Sequence, residues 1–219
     1  CYTLGAMPPL SAADTVVCMG ASIGMAHGGE KARGREFAQK TVAVIGDSTF
    51  MHSGVTGLIN AVYNESTGVV IIADNSTTGM TGHQENPATG RNLKGEIAPR
   101  VDLVKLCQSL GIKRVSVADP FELKEFTALL RAELAAEELS VIIAKRPCAL
   151  LKCVKPAPPL YMTSACINCK ACMKLGCPAI SDPGTGPQID PSLCVGCNLC
   201  KKVCPVGAIQ STAKRGEAE

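Results

Sequence analysis

Consecutive apolar, β-branched positions mark two stretches of the chain, Thr41-Val42-Ala43-Val44-Ile45 and Val69-Val70-Ile71-Ile72-Ala73, and neither alternates with polar residues. That pattern predicts strands buried on both faces. Between them Val55, Leu58, Ile59 and Val62 recur at steps of three and four, the spacing of a helix with one apolar face. Strand, helix and strand in this order make a parallel crossover unit. The alternation continues with a helix over 101–110, a strand over 114–118, a long helix over 120–137 that opens on proline, and a closing strand over 141–144. It predicts an α/β fold with a doubly wound parallel sheet.

A crossover unit sets the residues at the carboxyl ends of both strands along one edge of the sheet. Gly46-Asp47-Ser48 ends the first strand and Asp74-Asn75 the second, so Asp47 and Asn75 meet there although 28 positions separate them. One carboxylate oxygen and one amide oxygen suit Mg²⁺, which binds a diphosphate through one or two protein side chains and keeps its other positions for phosphate and water. The edge is a candidate Mg²⁺–diphosphate site. Residues 17–28 place Gly20, Ala21, Gly24, Ala26 and Gly28 on a helical stretch, where small side chains permit close approach of a ligand or of another segment. A helix packed tightly on the sheet explains them equally well. Residues 76–96 are Thr, Gly, Asn and Pro with almost no apolar content, a run of about 20 residues of the kind that usually serves as a functional loop.

From residue 146 the pattern breaks down into Pro147, Pro156, Pro158 and Pro159 with basic residues between them, a linker of limited flexibility. The expected organisation is a first domain over 1–147, a linker over 148–162, a small domain over 163–212 and a flexible tail over 213–219. The small domain holds Cys166, Cys169, Cys172 and Cys177-Pro178, then Cys194, Cys197, Cys200 and Cys204-Pro205. A short helical turn presents three thiolates at this spacing to one iron–sulfur cube and sends the cysteine before proline to the other cube. Cys166, Cys169, Cys172 and Cys204 are therefore expected on one 4Fe-4S cluster, and Cys194, Cys197, Cys200 and Cys177 on a second. Ala179-Ile180 and Ala208-Ile209 repeat behind the two Cys-Pro pairs. Zinc is the rival metal, but zinc ribbons use two cysteines per segment rather than three with a Cys-Pro.

Composition narrows the picture. A chain of 219 residues holds one domain of about 150 residues and a small second one, and 46% hydrophobic content supports a buried core. No apolar run approaches the roughly 20 residues of a membrane span, and a net charge of +3 gives no reason to expect nucleic acid or an anionic membrane as partner. Eight of the thirteen cysteines fall in the last 54 residues, in triplets that suit metal better than disulfides, which points to a reducing cytoplasm. The chain begins at Cys1 rather than Met and is read as a fragment.

The cysteine pattern, Gly46-Asp47-Ser48 with Asp74-Asn75, and the flanking Met19-Gly20, Thr49-Phe50-Met51-His52-Ser53-Gly54 and Thr77-Thr78-Gly79-Met80-Thr81-Gly82-His83-Gln84 carry a resemblance over essentially the whole chain. It resembles the C-terminal part of the large subunit of the indolepyruvate:ferredoxin oxidoreductases, within the wider family of thiamine-diphosphate 2-oxoacid:ferredoxin oxidoreductases. Thiamine enzymes carry Gly-Asp-Gly and Asn-Asn at these places, so both halves of the signature are altered here. The resemblance implies a thiamine diphosphate-binding fold followed by a bacterial-type two-cluster ferredoxin domain. It implies that Asp47 and Asn75 bind Mg²⁺ together with the Thr77 carbonyl, that Gly46 and Ser48 admit the diphosphate, and that Met19-Gly20, with residues 1–5 close by, lies near the cofactor rings.

His52 follows the metal aspartate by five positions at the mouth of that site, where an imidazole titrates in the useful range. It is the candidate to bind or protonate a 2-oxoacid, against the bland reading of a solvated or capping histidine; His83 and His27 are weaker candidates of the same kind. The implied reaction is oxidative decarboxylation of an aryl 2-oxoacid such as indolepyruvate to acyl-CoA and CO₂, with electrons passing through two 4Fe-4S clusters to ferredoxin. Pyruvate or 2-oxoglutarate as substrate, an electron-transfer module with an empty thiamine fold, and a non-oxidative thiamine decarboxylase are the alternatives. No stretch resembles the pyrimidine domain that supplies the cofactor-activating glutamate in such enzymes. The resemblance thus implies that this domain precedes the fragment on the same chain, that the fragment alone is inactive, and that a small β subunit completes a hetero-oligomer.

Overall fold

In the computed structural model, which describes residues 2–215 and side chains through Ala213, the chain forms two compact units. Residues 2 and 16–151 make the first unit; residues 3–15 and 152–215 fall in the second. Cys1, expected beside the cofactor rings, and residues 216–219 of the expected tail lie outside the described residues.

The first unit runs α1 (Ala21–Arg33), α2 (Arg35–Ala38), β1 (Val42–Gly46), α3 (Asp47–Thr49), α4 (Val55–Tyr63), β2 (Val69–Asp74), α5 (Leu103–Ser109), β3 (Arg114–Ala118), α6 (Leu123–Ala135) and β4 (Ser140–Lys145). All four strands are parallel, in the order β1-β2-β4-β3. The strand expected to close the fold is thus an inner one, buried at five of its six positions. Its sequence, Ser140-Val141-Ile142-Ile143-Ala144, has no polar alternation because both faces are covered. Ala43 and Ile45, Val70 and Ile72, and Val141 and Ile143 point to one face and pack against Ile23 of α1, Leu58 and Ala61 of α4, and Leu103 and Cys107 of α5. Burying a side chain such as Leu58 or Ile45, each 0% exposed, contributes about 1.5–3 kcal/mol. Arg114 lies out of phase with inward-packed Val115 and binds Glu133 of α6 at 2.7 Å, which sets α6 on the opposite face. Helices on both faces of a parallel sheet make the doubly wound architecture.

The helix marked by Val55, Leu58, Ile59 and Val62 begins well before Val55, at Asp47 directly at the end of β1, and passes through a π-helical turn, Phe50–Gly54, before α4. Apolar spacing misses the turn because only Phe50 and Gly54 of its five residues are buried.

The second unit contains β5 (Leu160–Met162), β6 (Ile180–Ser181), β7 (Gln188–Ile189), α7 (Leu199–Val203) and β8 (Ile209–Ser211). β5 pairs antiparallel with β8, and β6 with β7. Residues 160–162, expected in the linker, form a paired strand, and residues 3–15, expected in the first domain, group by their contacts with the second unit, where Pro9 and Leu10 pack beside Gly176. The expected tail also begins later, because Thr212–Arg215 forms a 3₁₀ turn. Among the described residues no helix is long and apolar enough to cross a membrane.

Candidate functional site

Register places the two strand ends side by side. Gly46 of β1 pairs with Ala73 of β2, so Asp47 and Asp74-Asn75 leave the sheet at one edge. Asp47 is 3% exposed and begins a helix. Its Oδ1 accepts the Ser48 amide at 2.8 Å, and its Oδ2 accepts Asn86 Nδ2 at 3.5 Å. Burial pushes the Asp47 carboxyl up to about 6 and the charge of Asp74 adds to this, while the Ser48 and Asn86 hydrogen bonds oppose it. Among the described residues Asp47 has no cationic partner. A buried acid held by two donors and facing a second carboxylate is what a divalent cation would stabilise as the anion, so the donor set fits Mg²⁺.

The neighbouring groups are ordered by short-range hydrogen bonds. Asp74 Oδ1 accepts the Ser76 amide at 2.9 Å, and Lys145 Nζ lies 3.8 Å from Asp74 Oδ2. Asn75 Oδ1 accepts the Thr77 amide at 3.2 Å, and Thr77, 3% exposed, donates through Oγ1 to the Gln84 carbonyl. The ladder between β2 and β4 continues past the strands, with Arg146 N donating to Asp74 O and Cys148 N to Asn75 O, both at 2.9 Å. The segment beyond β4 therefore fixes the backbone that carries Asn75.

Met19-Gly20 sits at the head of α1, with Met19 67% exposed. Gly20 has φ +91, and a Cβ there would lie 2.2 Å from Ser53 Oγ. Only glycine tolerates both conditions, and the close approach brings residue 20 against the π-helical turn that carries His52 and Ser53. Single π turns inside helices are frequent at functional sites. His52 itself is exposed. Gly46 is extended, and a Cβ there would meet the ring of Tyr2 at 3.2 Å, a tight contact.

Three residues of this edge escaped the sequence reading. Asn86 is 7% exposed and joins the 76–96 loop to Asp47, while its Oδ1 accepts the Ala88 amide at 2.9 Å. Asp74 was noted only as a neighbour of Asn75. Cys148 lies beyond the last strand, with its Sγ 3.7 Å from His83 Nε2. A lone Asn in a polar loop and a cysteine beside Pro147 carry no periodic signal. His83, at φ +63, holds a conformation uncommon for non-glycine residues.

Eight of the nine cysteines of the second unit, all but Cys153, separate into two sets of four. Cys172 is electrostatically coupled to Cys166, Cys169 and Cys204, and Cys200 to Cys197, Cys177 and Cys194. Each triplet thus has the thiol of the far Cys-Pro among its neighbours, the arrangement that cross-ligation would need. Burial raises the Cys172 thiol and pushes Cys200 up to about 11, with the neighbouring thiols adding to both. Such thiols favour the thiolate only when metal compensates the charge. The first set lines a small pocket walled by Met162, Ile167 and Ile209, and among the described residues no group of three or more His, Cys, Asp or Glu closes around a single ion. Leu160 N donates to Cys194 Sγ and Ala208 N to Cys204 Sγ at 3.4 and 3.3 Å. The repeat is also conformational: Asn168 and Lys170 flank Cys169, Gly196 and Asn198 flank Cys197, and all four have positive φ. The extra residue before Cys177 is taken up by a 3₁₀ turn, Ala171–Leu175, that ends on left-handed Gly176.

The model of the thiamine pyrophosphate enzyme C-terminal TPP-binding domain matches residues 2–144, and that of the 4Fe-4S binding domain matches residues 187–210. The chain belongs to the thiamine pyrophosphate enzyme family, with a 4Fe-4S binding domain behind the TPP-binding one. It is 40% identical over 216 residues to indolepyruvate oxidoreductase subunit IorA of Archaeoglobus fulgidus, a match that covers 96% of this chain and 34% of that protein. The chain therefore spans about a third of the length of that relative. Its C-terminal part is 46% identical over 55 residues to a ferredoxin of Alicyclobacillus acidocaldarius, covering 23% of this chain and 69% of the ferredoxin. Among solved structures, the 2-oxoglutarate:ferredoxin oxidoreductase of Magnetococcus marinus shares the fold, with a TM-score of 0.51 at 17% identity over 59% of this chain and 46% of the other.

Proposed function

We propose that this chain is the diphosphate-binding part and the electron outlet of a 2-oxoacid:ferredoxin oxidoreductase that acts on aryl 2-oxoacids of the indolepyruvate kind, yields acyl-CoA and CO₂, and reduces ferredoxin. The observation that carries the reading is the buried Asp47 carboxylate, without a cationic partner among the described residues and at the same sheet edge as Asn75, in a chain whose second unit holds two sets of four cysteines. The IorA relative, named as an indolepyruvate oxidoreductase subunit, supports the aryl substrate.

In this reading Asp47, Asn75 and the Thr77 carbonyl hold Mg²⁺, and Gly46, Ser48, Met19 and Gly20 line the diphosphate and rings of thiamine diphosphate. Bound there, thiamine diphosphate supplies the electron sink for decarboxylation, and two 4Fe-4S clusters supply one-electron acceptors. Asn86 and the Ser48 amide orient Asp47 so that its oxygens stay turned to the metal position. Cys148 N holds the Asn75 carbonyl, which keeps the amide side chain at the edge. His52, exposed on the π-helical turn, is the group offered to the incoming 2-oxoacid, to bind its carboxylate or exchange a proton. Cys166, Cys169, Cys172 and Cys204 hold one cluster, and Cys194, Cys197, Cys200 and Cys177 the other. The pyrimidine domain with its activating glutamate, a small β subunit, CoA and ferredoxin are the partners of a cytoplasmic hetero-oligomer, and without that domain the fragment is inactive.

Calorimetric titration of the full-length protein with thiamine diphosphate and Mg²⁺ tests the reading. Asp47→Ala is expected to weaken Mg²⁺-dependent binding at least about 100-fold, as loss of a carboxylate that anchors the metal requires, while iron content stays constant. Unchanged affinity in the variant would move the diphosphate site elsewhere.

A further inference from the structure

The charge of the chain is confined to one unit. Residues 16–151 carry fourteen Lys and Arg against fourteen Asp and Glu, so the first unit is neutral. Residues 3–15 and 152–219 carry eight Lys and Arg against Asp14, Asp182, Asp190, Glu217 and Glu219, so the net charge of +3 belongs to the second unit. Asp182 and Asp190 are turned inward to local structure. Asp182 is bound by Lys170 Nζ at 2.7 Å and by the amides of Gly184 and Gly186; Asp190 accepts from the amide and hydroxyl of Ser192.

Three lysines of the unit lie at the cysteine turns. Lys201 and Lys202 follow Cys200 directly on α7, and Lys174 follows Cys172 by two residues on the 3₁₀ turn Ala171–Leu175. α7 and this turn pack against each other, and all three lysines are exposed. The patch therefore stands within one helical turn of a cysteine from each set of four. Leu193, Val195 and Val206, beside Cys194 and Cys204, are 55%, 37% and 43% exposed and offer apolar surface in the same unit. Exposed basic side chains beside the two cysteine sets, with apolar surface in the same unit, are what a protein of opposite charge needs to be steered in and held briefly.

We propose that Lys174, Lys201 and Lys202 form the docking face for the electron acceptor, and that this acceptor is a small acidic iron–sulfur protein. The proposal rests on the reading of the second unit as an electron outlet and adds the surface and charge of its partner. Lysines so near bound clusters could instead act on the clusters themselves by raising their potential, and the experiment separates these effects.

The 219-residue chain, loaded anaerobically with iron and sulfide and reduced with dithionite, is mixed in a stopped-flow instrument with an acidic two-cluster ferredoxin at ionic strengths from about 10 to about 300 mM, a range over which the screening length falls severalfold. Cluster reduction potentials and the rate with a neutral small acceptor are measured alongside. The second-order rate with ferredoxin is expected to fall at least about tenfold with salt. Reversing the face with Lys174→Glu, Lys201→Glu and Lys202→Glu should lower the low-salt rate at least about tenfold and flatten the salt dependence. Potentials, cluster absorbance and the rate with the neutral acceptor should not change. Reversing Lys94, Lys105 and Lys124 in the first unit alters net charge equally and should leave most of the salt dependence in place. The docking face is overturned if the triple variant keeps the parent's salt slope, if a shift in potential accounts for its slower rate, or if duplex DNA binds the patch more tightly than ferredoxin. Failure of the reduced chain to pass electrons even to the neutral acceptor would overturn the electron-outlet reading, and the docking face with it.

Discussion

In the first unit fifteen buried residues from strands, helices and loops form one continuous core, whereas the buried cluster of the second unit is Leu160, Cys172, Cys200 and Ile209. Half of that smaller cluster is cysteine. A unit of this size cannot bury enough apolar surface to fold on hydrophobic energy alone, and its strands are two or three residues long. The first unit should thus be stable through packing and its ligand site an addition at one edge. In the second, the bound metal and the fold should be one equilibrium.

Removing iron gives the largest separation between the two. Anaerobically prepared protein should carry about eight iron and eight sulfide per chain. Chelation under oxidising conditions should abolish hydrogen-exchange protection throughout 160–212 while the amides of β2 and β4 stay protected. Protection that survived in the second unit, or stoichiometric zinc in place of iron, would break the comparison.

Leu58→Ala makes the converse experiment. Leu58 is 0% exposed in the first core, and truncation there should cost about 2–5 kcal/mol. Denaturant unfolding followed by far-ultraviolet circular dichroism should register the loss, with iron content at the parent's level.

Two glycines sharpen the contrast at smaller scale. A Cβ on Gly196 would lie 2.6 Å from the Ala157 carbonyl oxygen at φ +66, and one on Gly20 2.2 Å from Ser53 Oγ at φ +91. Each change to alanine should cost about 1–3 kcal/mol through strain. Gly196→Ala is expected to show it as faster iron loss, and Gly20→Ala as a lower melting temperature with iron retained.

The smallest effect concerns acid. Burial opposes ionisation of Glu30, but hydrogen bonds from Ser66 and Thr67 outweigh it and hold the carboxyl below its usual 4.5. A lowered carboxylate contributes stability that is present above pH 4.5 and lost as pH falls through the lowered value. Glu30→Gln should flatten the acid limb of the first unit's stability curve without altering cluster absorbance.

Much of the first unit was legible because its inner strands, β2 and β4, are buried on both faces. Such burial demands unbroken apolar runs, and β1, β2, β3 and β4 all fall within a residue or so of the expected positions. On the edge strands, Val44 of β1 and Val117 of β3 are exposed, against the expectation of two-sided burial for β1. Asp47 and Asn75 could be paired from the crossover rule alone. Asn86 could not, because its role depends on how the 76–96 loop folds back over the strand end, and no periodicity encodes that path. The π-helical turn was equally hidden, since three of its five side chains are not buried.

The sequence by itself determined what local spacing and alternation govern: the parallel α/β class, the strand ends that carry Asp47 and Asn75, and the two cysteine triplets, each followed by a Cys-Pro. Tertiary structure alone decided the inner position of β4, the return of residues 3–15 to the second unit, the contact of Asn86 with Asp47, and the burial that makes Asp47 and Cys200 weaker acids. The reason is the range of the interactions. Periodicity records which side of an element is buried, over one or two turns of chain, whereas strand order, desolvation and contacts between distant loops depend on what the rest of the chain brings against that side.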